Sequence, residues 1–223
     1  MSRKNAVGPF GLMDCALITL ATGKRAINLR ELRDRISEAP SSSLYYHFYE
    51  NLLQPSFDDP EFRNDFAVWA KRALHDSRLA EKLGMVDPLT CCDFDELRQE
   101  LTDVIEDHLA EKEFVPWARP DQEFHFLTSK MVVFNTGRKF AAPAELAEFI
   151  PRMSTGSIYF HFIEARRRQP DSLDDFSAWL SSFGKKTKPL REALSQVDYY
   201  FWTLPELRDR VSRTFTDHLK GVK

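Results

Sequence analysis

The chain has 223 residues, 43% of them hydrophobic and 29% charged, with a formal net charge of −3. That composition belongs to a globular protein with a sizeable core and excludes a disordered or collagen-like chain. No apolar run approaches the roughly 18 residues a bilayer-crossing helix needs, so no membrane insertion is expected. The opening "MSRKNAVGPFGLMDCALITLATGKR" carries an apolar stretch broken by Asp14, without a small-residue cleavage site, and is not read as a signal peptide. Cys15, Cys91 and Cys92 fit neither a disulfide framework nor a zinc spacing, so a reducing, cytoplasmic setting is the expectation.

In chain order, "CALITLATG" (15–23) is short, rich in β-branched residues and ends at Gly; periodicity alone leaves strand and buried helix both open. "NLRELRDRIS" (28–37) has apolar residues at helical spacing, and Ser41–Ser43 offer N-caps for a helix through "SLYYHFYE" (43–50). "DFAVWAKRAL" (65–74) starts on an acidic residue and buries a Trp face, and "FDELRQELTDVIEDHL" (94–109) is plainly amphipathic. "FVPWARPDQE" (114–123) reads as a linker because of its prolines. The series then recurs: "KMVVFNTG" (130–137), again strand or helix, then "APAELAEFI" with Pro143 suited to a first turn, "SIYFHFIE" behind Ser154–Ser157, "DFSAWLSSF", and "LPELRDRVSRTFTDHL".

A shift of 114 places Phe10 on Phe124, "TGKR" (22–25) on "TGRK" (136–139), Glu31-Leu32 on Glu145-Leu146, and residues 43–50 on 157–164. Shifts of 110 or 111 align "NDFAVWA" (64–70) with "DDFSAWL" (174–180), "LAEKLGMVD" with "LREALSQVD", "ELR" with "ELR" and "DHL" with "DHL". Ordered matches along both halves read as an internal duplication: a tail at 1–9, repeat unit 1 at 10–113, a linker at 114–123 and repeat unit 2 at 124–223. The period is too long for a solenoid repeat. The expected fold is therefore mainly α, two tandem homologous helical units packed as a pseudo-twofold, with room for short strands at the start of each. Residues 1–123 hold 15 Lys/Arg against 23 Asp/Glu, and 124–223 hold 16 against 11, a contrast of −8 and +5 that a solvated surface also explains.

The repeated phrase is where chemistry could reside. On a helix, Ser43, His47 and Glu50 fall within an arc of about 60°, with Leu44, Tyr45 and Phe48 opposite. Ser157, His161 and Glu164 repeat the polar stripe, and Ile158, Tyr159 and Phe162 the apolar one. These six polar residues are the ligand-binding candidates. His47, Glu50, His161 and Glu164 are also metal candidates, since His and Glu at i,i+3 can face one ion. The competing reading is structural: buried His and Glu that hydrogen-bond within or between the units, with Ser as a cap. His108 and His218 each end a helix, where a cation is favoured by the helix dipole. No phosphate-loop, dinucleotide, nucleophile-elbow or zinc-protease motif occurs, and "TGKR" and "TGRK" are explained by a turn.

"SSSLYYHF" and "STGSIYFHF" also resemble the recognition-helix signature of TetR-type repressors, which implies a helix-turn-helix entering the major groove. Charge opposes it: the first copy continues as acidic "YENLLQPSFDDPEF", and only "EARRR" (164–168) and "GKKTK" (184–188) could meet phosphates. The pattern of a "TG[KR][KR]A"-like entry, "EL", "S[LI]Y[YF]HFxE", "DFxxW", "VD" and "ELR" resembles the DUF5752 family over nearly the whole chain, departing at "TGRKF". That resemblance implies a bacterial protein of unknown function and supplies no site residue. The sequence favours a non-enzymatic binding or interaction module whose partner is an unidentified protein or small molecule, and it names no cofactor. Its alternatives are a metal- or small-ligand-dependent protein or enzyme built on the paired His and Glu, and, disfavoured by charge, specific nucleic-acid binding.

Overall fold

The computed structural model describes residues 8–53, 62–111, 115, 117–119, 121–169 and 171–219. Residues 1–7 of the expected tail, and Phe114, Pro116 and Pro120 of the expected linker, lie outside them. Among the described residues 58% are helical and 18% lie in strands.

The expectation of a mainly helical protein with short strands and tandem units is corrected at two points. The two ambiguous apolar segments are strands of 17 residues each, β1 (Phe10–Ala26) and β2 (Phe124–Phe140), which hydrogen-bond to each other as an antiparallel two-stranded sheet. The compact units are not tandem either. Unit A is Leu17–Lys130, whereas unit B joins Met1–Ala16 to Met131–Lys223, so the division falls inside both strands. The physical reason is strand length. At about 3.3 Å per residue, 17 residues extend far beyond one small helical cluster, and each end of a strand finds its own core.

Unit A contains α1 (Leu29–Glu38), α2 (Ser41–Phe48), α3 (Asp65–Arg72), α4 (Ser77–Gly84) and α5 (Phe94–Ala110). The helix α1 begins where Asn28 accepts from the Glu31 N–H while the Glu31 carboxylate takes the Ile27 N–H, a reciprocal cap. Its far end is closed by Arg98 of α5, whose guanidinium donates to the Ile36 and Ala39 carbonyls at 2.7 and 2.6 Å. Asn64, Asp76 and Asp93 cap α3, α4 and α5 through their side chains. The core is built from Leu32, Ile36, Leu44, Phe48, Phe66, Leu83, Leu101 and Ile105, each fully enclosed, together with Phe124 and Phe126 from the start of β2. Each such side chain contributes about 1.5–3 kcal/mol by leaving water.

Unit B contains α6 (Pro143–Phe149), α7 (Thr155–Ile158), α8 (Ala165–Arg168), α9 (Asp175–Ser181), α10 (Lys188–Ser195) and α11 (Leu204–Leu219). A π-helical turn, Tyr159–Glu164, joins α7 to α8 and carries the second repeated phrase, whereas the first phrase is α-helical and passes into a 3-10 turn at Glu50–Leu53. Glu145 accepts from the Ala141 N–H at the start of α6, and Arg208 donates to the Met153 carbonyl. The repeated "EL" words thus start the first helix after the strand in each unit, and the "ELR" arginines close it, in unit B at the end of the 3-10 turn Ile150–Arg152 that follows α6. Leu146, Ile158, Tyr159, Phe162, Phe176, Leu194, Val211 and Phe215 form the core, and Phe10 and Leu12 from the start of β1 are buried with them.

The "TGKR" and "TGRK" words lie within the strands. Thr22 donates to the Phe126 carbonyl and Thr136 to the Leu12 carbonyl, both at 2.7 Å, and Gly23 and Gly137 share φ = 77°, a conformation open to glycine at little cost. They are strand-registering devices built from a hydroxyl and a glycine.

Gly156 marks a close approach of α7 to β1 within unit B. A Cβ there would lie 2.5 Å from the Cys15 carbonyl oxygen and would also strike the Asp14 carboxylate. Gly156→Ala is therefore expected to destabilise the protein by about 1–3 kcal/mol, the usual cost of overpacking, as read by urea unfolding. An unchanged midpoint would contradict this approach of strand and helix.

Candidate functional site

The three polar residues of the first stripe face one object, the start of β2. In unit A the Ser43 hydroxyl donates to the Leu127 carbonyl at 2.7 Å, the Leu127 N–H donates to His47 Nε2 at 3.0 Å, and the Ser129 hydroxyl donates to Glu50 Oε2 at 2.6 Å. All three stripe residues are buried. The other ring nitrogen, His47 Nδ1, lies 2.7 Å from Asp65 Oδ2 at the head of α3. Because a main-chain N–H can donate and never accept, Nε2 must be an unprotonated acceptor; the ring is neutral, its proton on Nδ1 and given to Asp65.

Unit B repeats the central element. The Met13 N–H donates to His161 Nε2 at 2.9 Å, and His161 Nδ1 lies 2.8 Å from Asp175 Oδ2 at the head of α9. Met13 and Leu127 are 114 apart, as the histidines are, so the same strand position meets the same ring. The flanks differ. Cys15 stands where β2 has Ser129, and its thiol donates to the Gly156 carbonyl at 3.3 Å. Glu164 makes a two-pronged contact with Arg167, at 2.6 and 3.2 Å. Ser157 donates its N–H to Ser154, the N-cap of α7, whereas in unit A the cap position is Pro40 and Ser43 reaches the strand instead.

Two further residues complete each grip. Trp69 Nε1 donates to the Gln122 carbonyl at 2.7 Å and Trp179 Nε1 to the Gly8 carbonyl at 2.9 Å, in each case just before the strand. Phe124 sits between His47 and Phe66, ring centroids 4.9 and 5.0 Å away, and Phe10 between His161 and Phe176 at 4.8 and 5.4 Å. The word "DFxxW" thus supplies the carboxylate that holds the histidine, the ring that receives the strand phenylalanine, and the indole that donates to a carbonyl just ahead of the strand.

Of the metal candidates, each histidine pairs with an aspartate of its own unit, and both ring nitrogens are committed. Among the described residues no three His, Cys, Asp or Glu side chains come together as a metal ligand set. His108 is buried against Asp76 at 2.8 Å, while His218 is exposed and bonds the Thr214 carbonyl. Sequence reasoning did not single out Asp65 and Asp175 as partners of the histidines; the signal was their recurrence at a shift of 110 beside the repeated Phe and Trp. The three arginines of "EARRR" are engaged within unit B: Arg166 with Asp174 and the Tyr199 ring, Arg167 with Glu164, Arg168 with Asp175 and the Phe160 ring.

The neighbours Asp174 and Asp175 are pushed apart electrostatically. Burial raises the Asp174 carboxyl above its ordinary range, against the hydrogen bonds from Ser177. Burial acts upward on Asp175 too, but hydrogen bonds from His161 and Gln169 and the charge of Arg168 prevail and hold it below the ordinary range.

The two grips generate a stability prediction. His47→Ala and His161→Ala each leave a main-chain N–H of a strand without its acceptor, so each is expected to cost about 1–3 kcal/mol from that unpaired group, by similar amounts, in urea unfolding. Acid behaviour follows from Asp175. A depressed carboxyl contributes stability above its unfolded pKa and loses it as pH falls through the lower folded one, so below about pH 4 Asp175→Asn should lose stability less steeply than wild type. Asp174, being raised, works in the opposite sense, and Asp174→Asn should steepen the acid limb.

The model of a family of unknown function, DUF5752, matches residues 7–216, nearly the whole chain. The solved structure of OrfY from Thermoproteus tenax is similar, with a TM-score of 0.77 and 27% sequence identity, over 97% of this chain and 98% of that one. None of the curated proteins matches the chain.

Proposed function

We propose that this chain, which belongs to the DUF5752 family, is a non-enzymatic binding or interaction module that arose by internal duplication, and that its repeated motif is a device for holding strands. The observation that carries this reading is the state of the two repeated histidines. Each takes a main-chain N–H on Nε2 and gives its remaining proton to an aspartate, so no lone pair is left for a general base or a metal ion. A catalytic or metal-binding role for His47, Glu50, His161 and Glu164 would require both grips on the strands to be released.

The duplication is supported by corresponding residues making corresponding bonds: His, Asp, Trp, Thr, the helix-closing Arg and the helix-starting Glu each perform one task twice. A nucleic-acid role has little to stand on, because the "EARRR" guanidinium groups that would neutralise phosphates are engaged by carboxylates, carbonyls and rings of their own unit.

Elemental analysis of untagged protein, with thermal melts in the presence and absence of a chelator, tests the reading. It predicts no stoichiometric metal and an unchanged melting temperature. Stoichiometric metal lost in His47→Ala or His161→Ala would overturn it in favour of the metal-dependent alternative. In a DNA titration at physiological salt, binding no tighter than about micromolar is expected, and a nanomolar, sequence-selective complex would restore the repressor reading.

A further inference from the structure

Unit A ties down the cations around the end of its strand. Lys24 of β1 pairs with the Glu38 carboxylate at 3.2 Å, and Arg35 of α1 reaches the same carboxylate at 3.5 Å. Arg25 pairs with Glu123 at 2.9 Å. One glutamate thus receives two cations, one from the strand and one from the helix that follows it.

At the shift of 114, Lys24 corresponds to Arg138, Arg25 to Lys139, Arg35 to Phe149, Glu38 to Arg152 and Glu123 to Pro9. Unit B therefore keeps the cations of the strand and loses both carboxylates, one of them to a further cation. Where unit A gathers two cations on a carboxylate, unit B gathers two on a ring. The Arg138 and Arg152 guanidinium carbons lie 4.7 and 5.4 Å from the centroid of Phe149, which is itself seated against the buried Phe140 with centroids 5.2 Å apart. Among the described residues Arg138, Lys139 and Arg152 form no ion pair, and all three are exposed. Arg152 donates to the Glu148 main-chain carbonyl at 3.4 Å.

A solitary exposed arginine needs no partner, because water solvates it. Two guanidinium groups held at one ring repel each other, which a carboxylate between them relieves. Stacking on an aromatic ring occupies the face of a guanidinium and leaves its in-plane N–H groups available, in the fork that matches a carboxylate.

We propose that Arg138 and Arg152 on their Phe149 platform, flanked by Lys139, form a docking site for an acidic segment of a partner protein. A carboxylate of that segment takes the role that Glu38 plays in unit A. Residues 124–223 hold 16 Lys/Arg against 11 Asp/Glu, a balance that favours the approach of such a partner. This assignment rests on the binding-module reading and names the chemistry of its partner.

Hexaglutamate and hexaglutamine, equal in length and different in charge, are the probes, titrated into the full chain while the arginine Nε–H signals are followed by NMR. At about 50 mM salt hexaglutamate is expected to shift the Arg138 and Arg152 signals with a Kd of about a millimolar or tighter, and hexaglutamine to shift neither. Raising the salt to about 200 mM should weaken hexaglutamate several-fold. Arg152→Glu, which gives unit B the carboxylate that unit A carries, should weaken it about tenfold or more without lowering the melting temperature. Lys185→Glu makes the same charge change on a different element of unit B and should leave the affinity within about twofold. Absence of shifts at both arginines, an affinity unaltered by Arg152→Glu, or equal losses in the two variants overturns the assignment. Hexathymidine binding more tightly than hexaglutamate at the same signals would give the site to a nucleic acid, and shifts that follow protein concentration alone would give it to a second copy. Either result also overturns the acidic-segment assignment. Any of these leaves the binding-module reading to be decided separately by the metal and chelator measurements.

Discussion

One hydrogen bond in each unit sets the terms for the rest: a main-chain N–H of a long strand given to the Nε2 of a buried histidine. A strand in a two-stranded sheet has a free edge, and where that edge enters a core its polar groups must be satisfied. Here side chains do what a third strand would otherwise do. The imidazole takes the N–H, a tryptophan takes the carbonyl before the strand, and in unit A a serine takes the carbonyl of the same residue whose N–H the histidine accepts. With the backbone satisfied, the strand phenylalanines can be sunk among aromatic rings at no polar cost.

The grip also explains the electrostatics around it. A neutral histidine that accepts on Nε2 must donate from Nδ1, and an aspartate at the start of α3 or α9 is well suited to receive it, because the first turn of a helix favours negative charge. In unit B that carboxylate is further supported by Arg168 and Gln169, and in unit A by Asn51, so the two units reach one arrangement with different supporting residues. The same division runs through the repeated phrase. Its histidine and the partner "DFxxW" word have one task in both units, while Glu50 and Glu164, and Ser43 and Ser157, have acquired different ones.

Much of this was legible in the sequence. The helices at 28–37, 65–74, 94–109 and 204–219 announced themselves by apolar spacing and capping residues, and the alignment of the halves paired the two histidines and the two "DFxxW" words without showing that they meet. The strands were not legible at their true length. Only their first few residues alternate between buried and exposed, with Phe10, Leu12, Phe124 and Phe126 inward, whereas 132–139 is exposed throughout and gives no period-2 signal. The expected tandem arrangement failed for the same reason, since local patterns cannot show that Phe10 is buried among residues some 150 positions later. The polar stripe of Ser43, His47 and Glu50 was visible, but whether it faced solvent, a metal or a strand was decided by Leu127 and Ser129, which lie outside the phrase.

The central claim is that both histidines are neutral acceptors locked onto strand N–H groups, and two-bond ¹H–¹⁵N correlation of their rings tests it most directly. At neutral pH the account predicts for His47 and His161 a single slowly exchanging Nδ1–H tautomer, with Nε2 showing the shift of an unprotonated, hydrogen-bonded nitrogen. A proton on Nε2 of either ring, or rapid averaging between tautomers, would contradict it, because a protonated Nε2 cannot receive the strand.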